Sequence, residues 1–187
     1  MSEQSRSQHR RLDPTSPLVI DTRELGRRPG SMREVHRAAP APAGLGIDVL
    51  GVPEGSDLAV DVRLEAVQEG VLVSGRVLAT ATGECVRCLE VVQVHLDVPL
   101  QELFLYPGGR QGGKEEDELP ELVGDHIELE PSVRDAVVLA LPRQPVCRAD
   151  CPGLCSVCGR RLAQDPNHQH EDVDPRWAAL HGLVDND

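Results

Sequence analysis

Four of the six cysteines in this 187-residue chain lie within one short stretch, CRADCPGLCSVCG, at residues 147–159. The other two, Cys85 and Cys88, form a separate pair in the sequence CVRC. Cys155 and Cys158 have the same two-residue separation, and a glycine follows them. This separation allows the chain to curl so that both thiolates face one point, as a tetrahedral zinc ion requires. The spacing therefore predicts a metal site, most simply a zinc site.

Six cysteines exceed the four ligands of one zinc ion, so the spacing leaves several ligand sets open. Our first choice combines the two C-x-x-C pairs, which are Cys85, Cys88, Cys155 and Cys158. Cys147 and Cys151 are alternative ligands, either in a local site closed within residues 147–158 or in a set drawn from both regions. His168 or His170, in the sequence NHQHED, could replace a cysteine, although solvated histidines are the more ordinary interpretation.

The sequence contains no common catalytic signature: no H-E-x-x-H, no phosphate-binding or dinucleotide-binding glycine motif, and no G-x-S-x-G. Zinc sites made of four cysteines are usually closed and structural, whereas catalytic zinc keeps one position open. We therefore expect one structural zinc ion per chain and no enzyme activity. The alternative is a zinc-dependent or thiol-redox enzyme, which would expose at least one fast-reacting thiol of low pKa.

A β-rich body must position these thiols. Apolar and charged residues alternate in LAVDVRLEAV (residues 58–67), a pattern typical of a half-buried strand. Two further strands are predicted over residues 71–83 and 91–106, and Pro99 in the last indicates an edge strand or a bulge. Consecutive strands with short links predict an antiparallel meander, with CVRC at the turn between the second and third strands.

Helical spacing follows the sheet. Pro131 suits a first helical turn and Pro142 stops the apolar pattern, which predicts a helix over residues 131–141 packed on the sheet. A second short helix is predicted in DPRWAAL, with Trp177 and Leu180 on its buried face. The predicted fold class is α+β and β-rich: an antiparallel meander packed by one or two short helices, with a cysteine-based site like that of a zinc ribbon.

Composition divides the chain into three parts. Residues 1–16 are a polar tail, predicted to be disordered, and residues 17–141 are a β-rich core domain. The core includes a glycine-rich acidic loop at residues 107–120, predicted to be mobile. Residues 142–187 are the zinc-binding segment and C-terminal helix. Because no apolar stretch is long enough to cross a membrane and no signal segment begins the chain, we expect a cytoplasmic protein, whose cysteines stay reduced.

The net charge of −12 is distributed unevenly. Residues 1–40 carry eight arginines and five acids, a balance of +3, whereas the rest carries 11 basic and 26 acidic residues, a balance of −15. The aromatic residues are few: Phe104, Tyr106 and Trp177. An acidic body repels phosphates, and few aromatic rings offer little stacking for bases. We therefore expect a basic protein partner, with RNA contact indirect or through the arginine-bearing N-terminal region.

Four segments occur in a specific order: GECVRCLE, LEPSVRDAVVLALPRQPVC, CPGLCSVCGRRL and DPRWAAL. Together, from about Leu18 to Leu183, they resemble the bacterial YceD family, the large ribosomal RNA subunit accumulation proteins. The resemblance implies a cytoplasmic, non-enzymatic protein linked to synthesis or processing of large-subunit ribosomal RNA. It favours a ribosomal protein or ribosome assembly factor as the basic partner. The family's cysteine motifs correspond to all six cysteines here. A single lysine among many Arg, Ala, Gly and Val residues indicates an actinobacterial-like member.

Overall fold

The computed structural model describes residues 12–108 and 119–170, which form eight strands and one α-helix, α1, at Glu130–Ala140. The strands, in chain order, are β1 (Val19–Asp21), β2 (Met32–Pro40), β3 (Leu45–Ile47), β4 (Leu50–Val52), β5 (Asp57–Ala66), β6 (Gly70–Glu84), β7 (Val91–Leu105) and β8 (His126–Glu128). Every strand pair is antiparallel.

Strand β6 is the centre of a six-stranded sheet. On one side it pairs first with β5, over residues 71–78, and then with β4, at residues 82–83. On the other side it pairs with β7 along its whole length. Strand β2 extends the sheet beyond β5, and β3 extends it beyond β4. The run β5–β6–β7 confirms the predicted antiparallel meander.

The predicted alternation of buried and exposed residues is present in the sheet. The apolar face of β5 is buried: Leu58, Val60, Val62, Leu64 and Ala66 are at most 3% exposed. Burying a Val or Leu side chain contributes about 1.5–3 kcal/mol to stability. The sheet therefore has an apolar core of its own, which includes none of the cysteines.

The ribbon of β1 and β8, together with α1, covers the inner face of the sheet. Helix α1 has Pro131 in its first turn, and its buried Val133 and Val137 lie in the main core. The chain becomes extended at Leu141, directly before Pro142. The predicted helix over residues 131–141 is therefore confirmed to within one residue at each end.

Strand β7 is an edge strand: within the described residues it pairs with β6 along its length and otherwise forms one isolated bridge, from Leu105 to Glu121. Pro99 lies in it opposite Arg76, a position that an edge strand tolerates because one side of its backbone needs no donor. Helix α1 contacts β7.

Strand β2 was not predicted from the sequence. Only Val35 and Ala39 of β2 are buried, because this strand lies at the other edge of the sheet and faces solvent on most of its surface. The alternation of apolar and polar residues along β2 is therefore weak. Because β2 ends at Pro40, part of the arginine-bearing N-terminal region is built into the sheet.

Several predicted features lie outside the described residues: most of the N-terminal tail, most of the acidic loop, and the helix in DPRWAAL. The division into three parts stays a prediction. Among the residues described, no helix has the length and apolar character to cross a bilayer.

Candidate metal centre

Four thiols converge at one end of the β6–β7 hairpin. Cys85 and Cys88 lie in the turn between the two strands, and Cys147 and Cys151 lie in the segment that follows α1. Their sulfur atoms all lie within 4.8 Å of one another, and we call these four residues the first cluster. The turn forms between paired strands, so the hairpin fixes the position of two of the four ligands.

The spacing of the sulfur atoms fits a tetrahedral metal site. The Sγ atoms of Cys85 and Cys151 are 3.9 Å apart, and those of Cys88 and Cys147 are 3.6 Å apart. Four sulfurs on a zinc ion at 2.3 Å lie about 3.8 Å from one another. A disulfide would bring two of them to about 2.0 Å, and no disulfide joins any of the six cysteines.

The turn has a backbone geometry that directs both thiols to one side. The N–H of Cys85 donates to the carbonyl of Glu90 at 2.7 Å, and the N–H of Leu89 donates to the carbonyl of Cys85 at 2.9 Å. Leu89 has φ +59°, in the left-handed region that non-glycine residues rarely adopt. The chain thereby closes a tight loop around the two sulfurs.

The segment after α1 is fastened to this loop from both directions. The N–H of Val86 donates to the carbonyl of Pro145 at 2.9 Å. The guanidinium of Arg87 donates to the carbonyl of Cys151 at 3.1 Å and to that of Ala149 at 3.4 Å. Arg87 therefore helps to hold the second pair of cysteines against the first.

The first cluster is closed to solvent on most sides. Cys85 is 0% exposed, Cys88 3% and Cys151 4%, and together with Val92 they form a small core separate from that of the sheet. Val94, Val146 and Leu154 pack around it. Cys147 is the exposed member of the four. Since all four positions of a tetrahedral ion would be taken by sulfur, the arrangement suits a structural metal.

Burial raises the pKa of Cys85, but backbone hydrogen bonds at Cys147, Arg87 and Cys88 outweigh it and lower the pKa to about 6. By contrast, the hydrogen bond with the Cys151 side chain, burial and the neighbouring thiols raise the pKa of Cys147 to about 12. The cluster therefore holds one thiolate readily and resists accumulating more negative charge. A divalent cation would offset that repulsion and favour the deprotonated ligands.

The structure does not bring the first-choice ligand set together. Cys85 and Cys88 meet the alternative ligands, Cys147 and Cys151, because the chain leaving α1 reaches the hairpin turn at these residues. Cys155 and Cys158 lie instead in a second cluster, with His168 and His170. Which four residues bind metal stays a prediction for both sets.

Two residues near the first cluster were not predicted from the sequence. A carboxylate oxygen of Glu90 lies 3.9 Å from Cys88 Sγ, and its other oxygen accepts a hydrogen bond from Arg161 at 3.0 Å. Arg161 belongs to the chain just beyond Cys158, so this ion pair joins the surroundings of the two clusters. A single acid and a single arginine 71 residues apart give no signal in the sequence.

The part of the chain that holds the six cysteines matches a known protein family. Residues 73–184, which include all six cysteines, match the family described as "Large ribosomal RNA subunit accumulation protein YceD". That description names an accumulation protein and not an enzyme. No solved structure is significantly similar to the chain.

Relatives in Mycobacterium, an actinobacterial genus, are similar over most of the chain. An uncharacterized protein of Mycobacterium tuberculosis is 49% identical over 166 residues, which cover 88% of this chain and 80% of the relative. An uncharacterized protein of Mycobacterium leprae is 42% identical over 170 residues, which cover 90% of this chain and 78% of the relative. The family match and these relatives confirm the resemblance seen in the sequence, and the chain belongs to the YceD family.

Proposed function

We propose that this protein is a non-enzymatic accessory factor in the accumulation of large-subunit ribosomal RNA, acting in the cytoplasm through a basic protein partner. Its metal is zinc, in a structural role. Membership of the YceD family is the observation that supports a role in the accumulation of large-subunit ribosomal RNA. The mechanism rests on two features of this chain: a closed thiol cluster and an acidic body.

The closed cluster supports a structural role for the metal. An enzyme with catalytic zinc keeps one coordination position for water or substrate, whereas the first cluster offers four thiols to one point. A cleft of about 310 Å³ borders the turn at Cys85 and Val86, but the Cys85 side chain is fully buried. A substrate in this cleft would not reach the sulfur atom.

A larger cleft also lacks a catalytic arrangement. It has a volume of about 670 Å³ and lies on the sheet, over β2, β5, β6 and β7. Its titratable side chains are Asp57, His95 and Asp97. His95 makes a hydrogen-bond contact with the hydroxyl of Thr80, and Asp97 lies 3.6 Å from the guanidinium of Arg76. Among the described contacts, no carboxylate holds His95 in place as a base for the Thr80 hydroxyl.

Three of the five arginines that the structure describes in residues 1–40 form ion pairs within the protein. Arg23 pairs with Asp21, and Arg33 pairs with Glu24 at 3.0 Å. Arg27 pairs with Asp125 and also stacks over the Tyr106 ring, 5.0 Å from its centroid. Less of the positive charge in residues 1–40 is therefore available to phosphates than the sequence alone suggests. A body of charge −15 beyond residue 40 complements a basic protein better than RNA.

Affinity purification of the tagged full-length protein tests the proposed partner. We expect a basic protein of the ribosome or its assembly pathway to co-purify, and to remain after ribonuclease treatment, because the contact is between proteins. Capture of ribosomal RNA alone, with no protein surviving the ribonuclease step, would contradict the proposal.

A salt titration separates direct RNA binding from binding through a partner. Deleting residues 1–40 would remove β2 from the sheet, so substitution is the better test. We expect the full-length protein to bind ribosomal RNA weakly, with an affinity that falls steeply as salt is added. Replacing Arg6, Arg10 and Arg11 by serine should abolish this binding. Tight, salt-resistant RNA binding by this triple variant would show that the acidic body itself binds RNA, against our expectation.

Thiol alkylation tests the enzyme alternative. The thiols of zinc-replete protein should react slowly, at a rate set by removal of the metal with a chelator. A single thiol that reacts fast in the presence of bound zinc would instead favour a catalytic or redox role.

A further inference from the structure

We infer that Cys155, Cys158, His168 and His170 bind a second zinc ion, so that each chain holds two. One sulfur or nitrogen atom from each of these residues lies within 4.8 Å of the others. The four residues, which we call the second cluster, share no ligand with the first cluster. The expected single zinc ion per chain would account for only one of these two groups.

The two C-x-x-C turns have the same backbone hydrogen bonds. In the second turn the N–H of Cys155 donates to the carbonyl of Arg160 at 2.8 Å, and the N–H of Gly159 donates to the carbonyl of Cys155 at 2.9 Å. Residues at the same offsets make these bonds in the turn of Cys85. Gly159 has φ +72°, in the same left-handed region as Leu89 of the first turn, which has φ +59°. One loop geometry therefore presents two thiols to a second ligand pair at both places.

The atoms of the second cluster are close enough to share an ion. The Sγ of Cys158 lies 3.1 Å from Nε2 of His168, which lies 2.8 Å from Nε2 of His170. Tetrahedral zinc holds a sulfur and a nitrogen ligand about 3.6 Å apart and two nitrogen ligands about 3.3 Å apart. An ion entering the cluster needs to spread these atoms by only about half an ångström.

Asp165 orients one of the imidazoles for metal binding. Its carboxylate lies 3.6 Å from Nδ1 of His168 and accepts a hydrogen bond from Arg160 at 3.1 Å. A carboxylate beside Nδ1 favours the proton on that nitrogen, which leaves the lone pair on Nε2 directed into the cluster. At 3.6 Å this contact is longer than a hydrogen bond, and a small shift on metal binding would close it into the carboxylate–histidine pair that is common behind a zinc ligand. The His168 side chain is only 11% exposed, so it faces the cluster and not solvent.

Hydrogen bonding alone accounts poorly for these contacts. Nε2 of His168 has a single lone pair or a single hydrogen, yet it lies at hydrogen-bond distance from both Cys158 Sγ and His170 Nε2. The two rings are perpendicular, with centroids 4.5 Å apart, so both nitrogens approach one point instead of stacking. A cation at that point satisfies every one of these atoms at once.

Metal counting by native mass spectrometry tests the inference on the reduced full-length protein, loaded with zinc and freed of excess. We expect two zinc ions per chain in the parent protein, and one in Cys158→Ser and in His168→Ala. His126→Ala, in β8 and outside both clusters, is the matched control and should keep two. A single zinc in the parent protein, or two zinc ions in both cluster variants, would overturn the inference.

Cobalt substitution keeps the test valid if a variant folds poorly. Cobalt in the first cluster should give the absorption of a four-thiolate site, and cobalt in the second that of a site with two thiolates and two imidazoles. We expect Cys158→Ser to lose the second spectrum and keep the first, which also shows that the fold is intact. Retention of the mixed-ligand spectrum in that variant would contradict the proposed ligands.

Discussion

The two C-x-x-C turns have the same backbone hydrogen bonds and a left-handed residue at the same position, yet the cysteines of the first turn are buried and those of the second are half-buried or exposed. The first turn, at Cys85, ends a long hairpin, and its partner thiol Cys147 lies 59 residues beyond Cys88. The second turn, at Cys155, finds its partner His168 only ten residues beyond Cys158. A local pattern thus sets how two thiols are presented, while the fold decides which ligands meet them.

The two clusters also differ in what they depend on. Leu154, directly before the second turn, packs on the small core of the first cluster, and Arg161 after it pairs with Glu90 of the first turn. Contacts with the first cluster therefore hold the second cluster in place, whereas the sheet holds the first cluster in place. The core of the sheet includes residues of neither cluster. Loss of metal from the first cluster should therefore destabilise the second cluster as well, whereas loss of metal from the second cluster should leave the first intact.

The largest expected effect follows from this order. Cys85→Ser should release the first zinc ion and also reduce hydrogen-exchange protection around the second cluster, since structural zinc contributes on the order of 10 kcal/mol to folding its site. Cys155→Ser should affect only the second cluster. Exchange measured peptide by peptide would show protection in β5–β7 retained in both variants. Equal loss of protection around both clusters in Cys155→Ser would reverse the proposed order.

A smaller effect is expected at the left-handed residue of each turn. Leu89→Gly should raise the free energy of unfolding by about 0.5–1 kcal/mol, because glycine adopts φ +59° without steric cost and the Leu89 side chain is mostly exposed. Gly159→Ala should lower stability of the second cluster by about 1 kcal/mol, although no atom lies within 4 Å of the added methyl group.

Urea unfolding and competition for zinc with a chelator measure these two changes. Leu139→Ala, at an exposed position of α1, controls for removal of an exposed leucine. If Leu89→Gly destabilises the protein by as much as Gly159→Ala does, the two turns do not share the strain that their backbones indicate.

The ion pair between Arg161 and Glu90 should contribute less than about 1 kcal/mol to the free energy of unfolding, because both side chains are solvent-exposed. A double-mutant cycle of Arg161→Ala and Glu90→Gln should give a coupling energy of about 0.2–1 kcal/mol that falls as salt is added. Arg160→Ala is the matched control, since Arg160 pairs with Asp165 of the second cluster's own surroundings. Coupling of Arg160 to Glu90 as strong as that of Arg161 would show that the cycle reports general charge and not this contact.

The smallest effect is expected at Glu102 in β7, which is in neither cluster. Burial raises the pKa of Glu102 and the charge of Asp135 adds to the rise, while a hydrogen bond with Ser132 opposes it. Folding therefore favours the protonated form, and the stability that this contributes is lost as pH rises through the folded pKa. Glu102→Gln should raise stability at about pH 7 by less than about 0.5 kcal/mol, and by less at about pH 5.

Thermal unfolding at the two pH values checks this prediction, with Glu121→Gln as a control at an exposed acid. The gain should be the same before and after zinc loading, because Glu102 contacts no residue of either cluster among its described interactions. A gain that appears only with zinc bound would link the sheet to the metal sites, contrary to the order proposed above.

Much of the fold was predictable because β5, β6 and β7 alternate buried and exposed residues over long stretches. Strand β2 was not predictable, because an edge strand with two buried residues shows no clear alternation of apolar and polar residues. The C-x-x-C spacing predicted the two turns of the candidate sites. It did not predict which second pair of ligands each turn meets in the folded chain. His168 and His170 were weak candidates because H-x-H departs from the usual H-x3–5-H spacing of zinc sites. Asp165, Glu90 and Arg161 act through contacts that only the folded chain creates.

The distance between the halves of the first cluster has a consequence during protein synthesis. At about 5–20 residues per second, on the order of 3–12 s pass between the emergence of Cys88 and that of Cys147. The β6–β7 hairpin can form in that interval, which leaves two thiols at its tip with no complementary pair. Alkylation of ribosome-bound chains halted after α1 would measure this vulnerability, and chains halted beyond Cys151 should resist it if metal has bound. We therefore expect the nascent protein to pass through a stage in which its sheet is complete and its first metal ligands are open to oxidants.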